Sequence, residues 1–122
     1  MLSANFHPVY IDVQEEDRVA RVSLKLSRLT EDENIELLGR ELFTLVEQFG
    51  ASNVILSLRT VQYATSAFLG KLITLHRKLH RKQGKLVLCD VGDEFREILR
   101  TSRLHTYFHL AANCDAALES LG

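Results

Sequence analysis

NVILSL (residues 53–58), RTVQYAT (59–65) and SAFLGKLITLHRKL (66–79) set out a strand, a tight turn and a helix in direct succession. Val54, Ile55, Leu56 and Leu58 make a short apolar run, the pattern of a strand covered on both faces. Beyond Thr65 and Ser66 the apolar spacing changes. Leu69, Leu72, Ile73 and Leu79 recur at helical intervals, and Gly84 closes the helix. A hydroxyl at a helix start caps the first turn by accepting a hydrogen bond from a free N–H. The same place suits a phosphate, which would meet free N–H groups at the positive end of the helix dipole. Ser66 therefore has two readings, a cap or a switch.

The helix before this stretch is equally legible. Thr30 to Glu33 fits a capping box, with Asp32 and Glu33 in a first turn where acidic side chains suit the dipole. Ile35, Leu38, Leu42, Leu45 and Phe49 form one apolar stripe, and Gly50 ends it. The stripe runs for about two heptads, short of the three or four that mark a coiled coil. It reads as the buried face of a core helix. Earlier still, Val9, Ile11 and Val13 alternate with polar residues, as do Ala20, Val22, Leu24 and Leu26. The polar turn at Glu15, Glu16 and Asp17 joins them into an antiparallel hairpin. Residues 1–8 read as a loose lead-in ended by Pro8.

After Gly84, Leu86 to Val91 is another apolar strand. Asp93 is placed to cap a third helix reaching about Thr101, with Phe95, Ile98 and Leu99 as its apolar side. Tyr107, Phe108 and Leu110 suggest a last short strand, and residues 115–121 a terminal helix. Strands alternating with helices imply a parallel sheet with crossover connections. The opening hairpin makes the sheet mixed but mostly parallel, with helices packed on it. The chain has 122 residues, the length of one domain spanning 1–122.

Composition narrows the function. The net charge of −1 points neither to nucleic acid nor to an anionic membrane. No apolar run approaches the roughly 20 residues needed to cross a bilayer, and residues 1–12 lack a signal-peptide pattern. These features place the chain in the cytoplasm. Two cysteines, Cys89 and Cys114, give no disulfide framework and read as reduced thiols.

Four patterns suggest other chemistry. His76 and His80 stand four apart, a zinc-ligand spacing. The sequence there is HRKLH, with Arg where H-E-x-x-H has its base, so both read as solvated face residues; His105 and His109 read likewise. Lys71, Arg77, Lys78, Arg81, Lys82 and Lys85 give a basic run without aromatic interleaving. It reads as a solvated face balanced by the acidic helix before it, and better suited to an acidic partner than to DNA. Cys89 and Asp90 end a strand, where α/β sheets often place ligands, but no P-loop, GxGxxG or nucleophile elbow accompanies them. A phosphate-accepting receiver domain needs several carboxylates at strand ends, and only Asp90 is present. No metal, cofactor or catalytic group is expected.

From Asn53 to Leu110 the segments resemble the STAS domain, the fold of anti-sigma-factor antagonists and of the cytosolic tails of anion transporters. The resemblance rests on VILSL, on Thr65-Ser66-Ala67-Phe68-Leu69-Gly70 and on Gly84-Lys85-Leu86-Val87-Leu88. Leu104 to Phe108 completes it, and the front hairpin and helix agree. It implies that Ser66 is the position phosphorylated by partner kinases in the antagonist branch, with Leu69 and Gly70 matching the Leu-Gly of the motif. Three positions depart: Thr65 stands for Asp, Phe68 for the second motif glycine, and Ser57 for the Asp that usually ends the strand.

The reading that follows is a non-enzymatic, bacterial-type regulator. It binds a serine-kinase or anti-sigma-type protein through Thr65, Ser66, Phe68, Leu69 and Lys71. Ser66 is the phosphorylation site, Thr65 the alternative, and Arg59 and Lys71 stand near enough to help hold the phosphate. The runner-up is a constitutive scaffold that oligomerises through the hairpin edge. A third reading is a small ligand binder or enzyme using Cys89 and Asp90.

Overall fold

The computed structural model describes residues 8–16, 19–26, 28–29 and 32–121. Thr30, where the capping box is expected to open, and most of the expected lead-in lie outside them. Strands β1 (Ile11–Glu16) and β2 (Val19–Leu24) form the antiparallel hairpin, with Ile11 opposite Leu24. The chain continues through β3 (Arg28–Leu29), α1 (Asp32–Glu47), β4 (Asn53–Ser57) and β5 (Tyr63–Ala64). It ends with α2 (Ser66–Arg81), β6 (Leu86–Cys89), α3 (Asp93–Thr101), β7 (His109–Ala111) and α4 (Cys114–Leu121). The main sheet has the order β1-β2-β4-β6-β7, and every pairing beyond the hairpin is parallel. This is the mixed, mostly parallel α/β domain the sequence predicts.

Side-chain alternation across β4 explains its continuous apolar run. Val54 and Leu56 join the large core under α1, α2 and α3, together with Leu38, Leu42, Leu72 and Phe95. Ile55 faces the other way, into a smaller cluster with Val87, Cys89 and Ala117 of α4. A strand buried on both faces has no polar face to alternate with. Ser57 continues the row of Ile55, pairs with Ser23 on one side and Cys89 on the other, and starts a polar end to that face.

Two elements escape sequence reasoning. β3 and β5 are two residues each and pair in parallel, Arg28 with Tyr63 and Leu29 with Ala64. They turn the expected tight turn into a tether: the Thr65 N–H donates to the Leu29 carbonyl at 3.0 Å. The Thr60 hydroxyl adds bonds to the carbonyls of Leu24 and Leu26. Together these contacts fix where α2 begins.

Several boundaries are corrected. Ser66 is the first helical residue, and Thr65 holds the cap position with the extended backbone caps require. Asp93 is likewise the first residue of α3, capped by Gly92 without a side-chain bond. α4 begins one residue earlier than expected, and Asn113 Oδ1 accepts the Ala116 N–H at 2.8 Å. β7 lies at His109–Ala111 because Phe108 turns into the core. α2 closes with its left-handed residue at Gln83, φ 63°, not at Gly84. The N–H groups of Gln83 and Gly84 then reach back to the carbonyls of His80 and Leu79, the reciprocal pattern of a Schellman end.

Candidate functional site

The N-terminus of α2 is held between the β3–β5 tether and the core. Phe68, Leu72, Leu75 and Leu79 form its fully buried stripe, and Leu69 is buried beside it. Phe68 is 0% exposed, with its ring 6.1 Å from that of Phe95. The expectation that Phe68 and Leu69 lie on a docking surface is thereby corrected: both are core residues that anchor the helix. Thr65 Oγ1 is also buried, and it has no hydrogen-bond partner among the described residues. A hydroxyl enclosed in this way is not presented to a kinase, so Thr65 is no alternative to Ser66.

Other residues around the helix start are exposed. Ser66, Ala67 and Gly70 are exposed, and Tyr63 is 44% exposed beside them in sequence, its ring capped by Arg28 at 5.4 Å. A Cβ added at Gly70 would meet nothing within 4 Å, so no contact in the fold calls for glycine in mid-helix. Tyr63, Ala67 and Gly70 were not singled out as surface residues by the sequence. An unforced glycine inside a helical pattern was the available signal.

The N–H groups of Ser66 and Ala67 occupy the first two helical positions, which have no acceptor within the helix. The Thr65 side chain makes no cap bond to this turn, and among the described residues no other side chain does. Neither expected cation is committed to it. Lys71 Nζ bonds Glu36 of α1 at 2.7 Å, and Arg59 lines a separate cleft beside Asp90. The basic run of α2 is partly spent in the same way. Lys78 pairs with Glu47 at 3.0 Å, and Lys82 Nζ bonds the Val46 carbonyl.

That separate cleft, of about 380 Å³, lies at the carboxyl ends of the strands. Ser57, Arg59, Asp90, Cys114 and Asp115 line it, along with Arg21. The Ser57 hydroxyl donates to Asp90 Oδ2 at 2.9 Å, and Asp90 sits in the left-handed backbone region at φ 55°. Cys89 is buried; burial first, then the neighbouring Cys114 and Asp90, push its thiol well above its ordinary range. These surroundings disfavour the Cys89 thiolate, the form in which a cysteine attacks.

His80, His105 and His109 are exposed as expected, and His76 is not. His76 is half-buried, not a solvated face residue, with its ring 4.8 Å from Tyr107 and 6.1 Å from Phe108. Its Nδ1 is buried and unbonded among the described residues. Burial first, then His80 and His109, lower its pKa. A lowered folded-state pKa means that the unfolded chain takes up the proton first. The contribution of His76 is therefore complete above the unfolded-state pKa of about 6.5 and is lost as pH falls below it. Urea midpoints should drop between about pH 7.5 and about pH 5.5, and His76→Phe should remove part of that drop. An identical drop in the variant would contradict this.

The fold and these two sites define a small α/β domain with an exposed serine opening a tethered helix and a polar cleft at the strand ends. The chain belongs to the STAS domain family, whose family model matches residues 10–117. It is 33% identical over 84 residues to BtrV of Bordetella bronchiseptica, a protein named as a candidate anti-sigma factor antagonist. That match covers 69% of this chain and 72% of the relative. Among solved structures, a STAS domain protein from Planctomyces limnophilus superposes with a TM-score of 0.81 at 20% identity, covering 92% of this chain and 97% of the other. The Bacillus cell fate determinant SpoIIAA in its phosphorylated form gives 0.70 at 16% identity, covering 92% and 99%. Among the described residues no helix is long and apolar enough to cross a membrane.

Proposed function

We propose that this domain is a cytoplasmic, non-enzymatic regulator that binds a serine-kinase or anti-sigma-type protein and is released by phosphorylation of Ser66. The observation that carries this is the placement of Ser66: exposed, first in a 16-residue helix, and next to a threonine whose hydroxyl is turned away from the helix end. Family membership, and the name of the BtrV relative, support a regulatory protein-binding role. A likeness to SpoIIAA, a protein solved in a phosphorylated form, is consistent with the switch.

The docking patch is Tyr63, Ser66, Ala67 and Gly70, edged by the half-buried Lys71. Small residues at Ala67 and Gly70 let a partner approach the helix closely, and Tyr63 supplies an aromatic anchor. A phosphate on Ser66 would bring about −1.5 to −2 charge. The helix start tolerates that charge through its first-turn N–H groups, which have no acceptor within the helix, and through the dipole. A partner does not, because docking would strip water from a dianion that neither Lys71 nor Arg59 is committed to neutralise.

The test uses the kinase-type protein retained from native-cell extract by the immobilised chain. Ser66→Ala should keep its affinity for that partner, and Ser66→Asp should lose at least about tenfold, equivalent to about 1.4 kcal/mol. Equal affinity for both variants, with a mass above monomer that neither changes, would favour the constitutive scaffold instead.

A further inference from the structure

Cys89 and Cys114 are 25 residues apart in sequence, yet β6 ends and α4 begins so that their sulfurs lie 3.4 Å apart. Asp90 Oδ2 lies 3.7 Å from Cys89 Sγ, and donor atoms of all three residues fall within 4.8 Å of one another. With metal–sulfur bonds of about 2.3 Å and metal–oxygen bonds near 2.0 Å, a tetrahedral ion separates its sulfurs by about 3.8 Å and a sulfur from an oxygen by about 3.5 Å. The Cys89–Cys114 and Cys89–Asp90 spacings meet these values to within a few tenths of an ångström, and the third pair, within 4.8 Å, closes by side-chain rotation.

We propose that Cys89, Asp90 and Cys114 bind a divalent cation of the zinc class, with the fourth position open to the cleft. The donor set selects the ion: two sulfurs favour zinc-class metals over magnesium or calcium, which take oxygen ligands. Three protein ligands and one open position is an arrangement zinc accepts. Ser57 supplies the outer support, since its hydroxyl already donates to the Asp90 carboxylate and fixes its direction. The left-handed backbone at Asp90 turns the chain sharply at the strand end, directly after the Cys89 ligand. Binding displaces one proton from each thiol to solvent. Two thiolates and a carboxylate around a divalent ion leave a net charge of −1, and the Arg59 and Arg21 guanidinium groups line the same cleft. The ion would tie α4, whose one fully buried residue is Ala117, to the end of β6.

The experiment is a titration of the reduced full chain with Co²⁺ as the spectroscopic probe, followed by displacement with Zn²⁺. Expected are one ion per chain, a thiolate-to-cobalt charge-transfer absorption in the near ultraviolet, and a melting temperature raised by Zn²⁺. Cys114 is half-buried, so Cys114→Ser should fold, as checked by circular dichroism, and lose the charge-transfer band. Ser57→Ala should keep the band but weaken Zn²⁺ binding by about tenfold or more. Absorption without the thiolate band, or a band unchanged in Cys114→Ser, would overturn the proposal. So would a reduced chain that ignores both metals yet forms a Cys89–Cys114 disulfide with oxidised glutathione, which would make the pair a redox couple.

Discussion

Phe68→Ala is expected to destabilise the domain by about 3–5 kcal/mol, read as a lowered urea midpoint with an unchanged slope. The side chain is fully buried in the main core and its ring packs on Phe95 of α3. Truncation removes the burial of a large apolar group and leaves a cavity where α2, α3 and the sheet converge. That loss is a large part of the roughly 5–15 kcal/mol by which domains are stable. Phe68→Leu should retain much of it. The contrast with a docking role is direct. A contact residue truncated to alanine would leave the urea midpoint where it was and weaken partner binding instead. An unshifted midpoint would therefore restore Phe68 to the surface and contradict the packing described above.

Gly84→Ala should be the second large effect, for a different reason. A Cβ at this position would stand 1.6 Å from the Ser52 carbonyl oxygen and 2.7 Å from its carbon. Both are backbone atoms, so no side chain can swing aside. The neighbouring bonds from Lys85 N–H to Asn53 Oδ1 and from Val54 N–H to the Lys85 carbonyl hold the two segments together at the start of the β4–β6 ladder. The methyl group must push them apart, at a cost of about 3 kcal/mol, the upper end of the usual range for overpacking. In a chain of this size that is roughly a 10 °C fall in melting temperature. Gly70→Ala is the matched control: its Cβ would enter open space, and replacing a mid-helix glycine should raise stability by up to about 1 kcal/mol. A Gly84→Ala melting temperature equal to that of the control would contradict the close approach.

Much of this architecture was readable because burial leaves a pattern. β4 and β6 carry core on both faces, so their sequences are continuous apolar runs. Ile35, Leu38, Leu42 and Leu45 of the expected α1 stripe are buried as predicted, whereas Phe49 lies beyond the helix end at Glu47 and is only half-buried. The first strand alternates because one of its faces is covered and the other open: Ile11 is buried, Asp12 and Gln14 are exposed. What was missed has no such periodicity. β3 and β5 are too short to show any, and their effect is to place the start of α2. Phe68 is instructive in another way. It opens the core stripe Phe68, Leu72, Leu75, Leu79, whereas the expected apolar set was Leu69, Leu72, Ile73 and Leu79 and Phe68 was assigned to the surface. Here the helical period was the better guide.

The two sites differ in legibility for the same reason. Ser66 is a local feature, a hydroxyl where a helix starts, and the sequence marks it directly. The donor cluster of the cleft depends on three chain segments meeting. Ser57 and Asp90 are joined by neighbouring strands, and Cys114 arrives only because β7 returns the chain to the sheet before α4. No spacing rule links residues 89 and 114.

The central claim is that Ser66 carries a phosphate that controls binding. Intact mass with phosphosite mapping, on the chain isolated from its native cell across growth and stress conditions, tests it most directly. The account predicts a species heavier by one phosphate, mapped to Ser66 and lost in Ser66→Ala. Absence of phosphate under every condition, or its placement on another residue with Ser66 unmodified, would contradict the switch and leave Ser66 as the plain first residue of its helix.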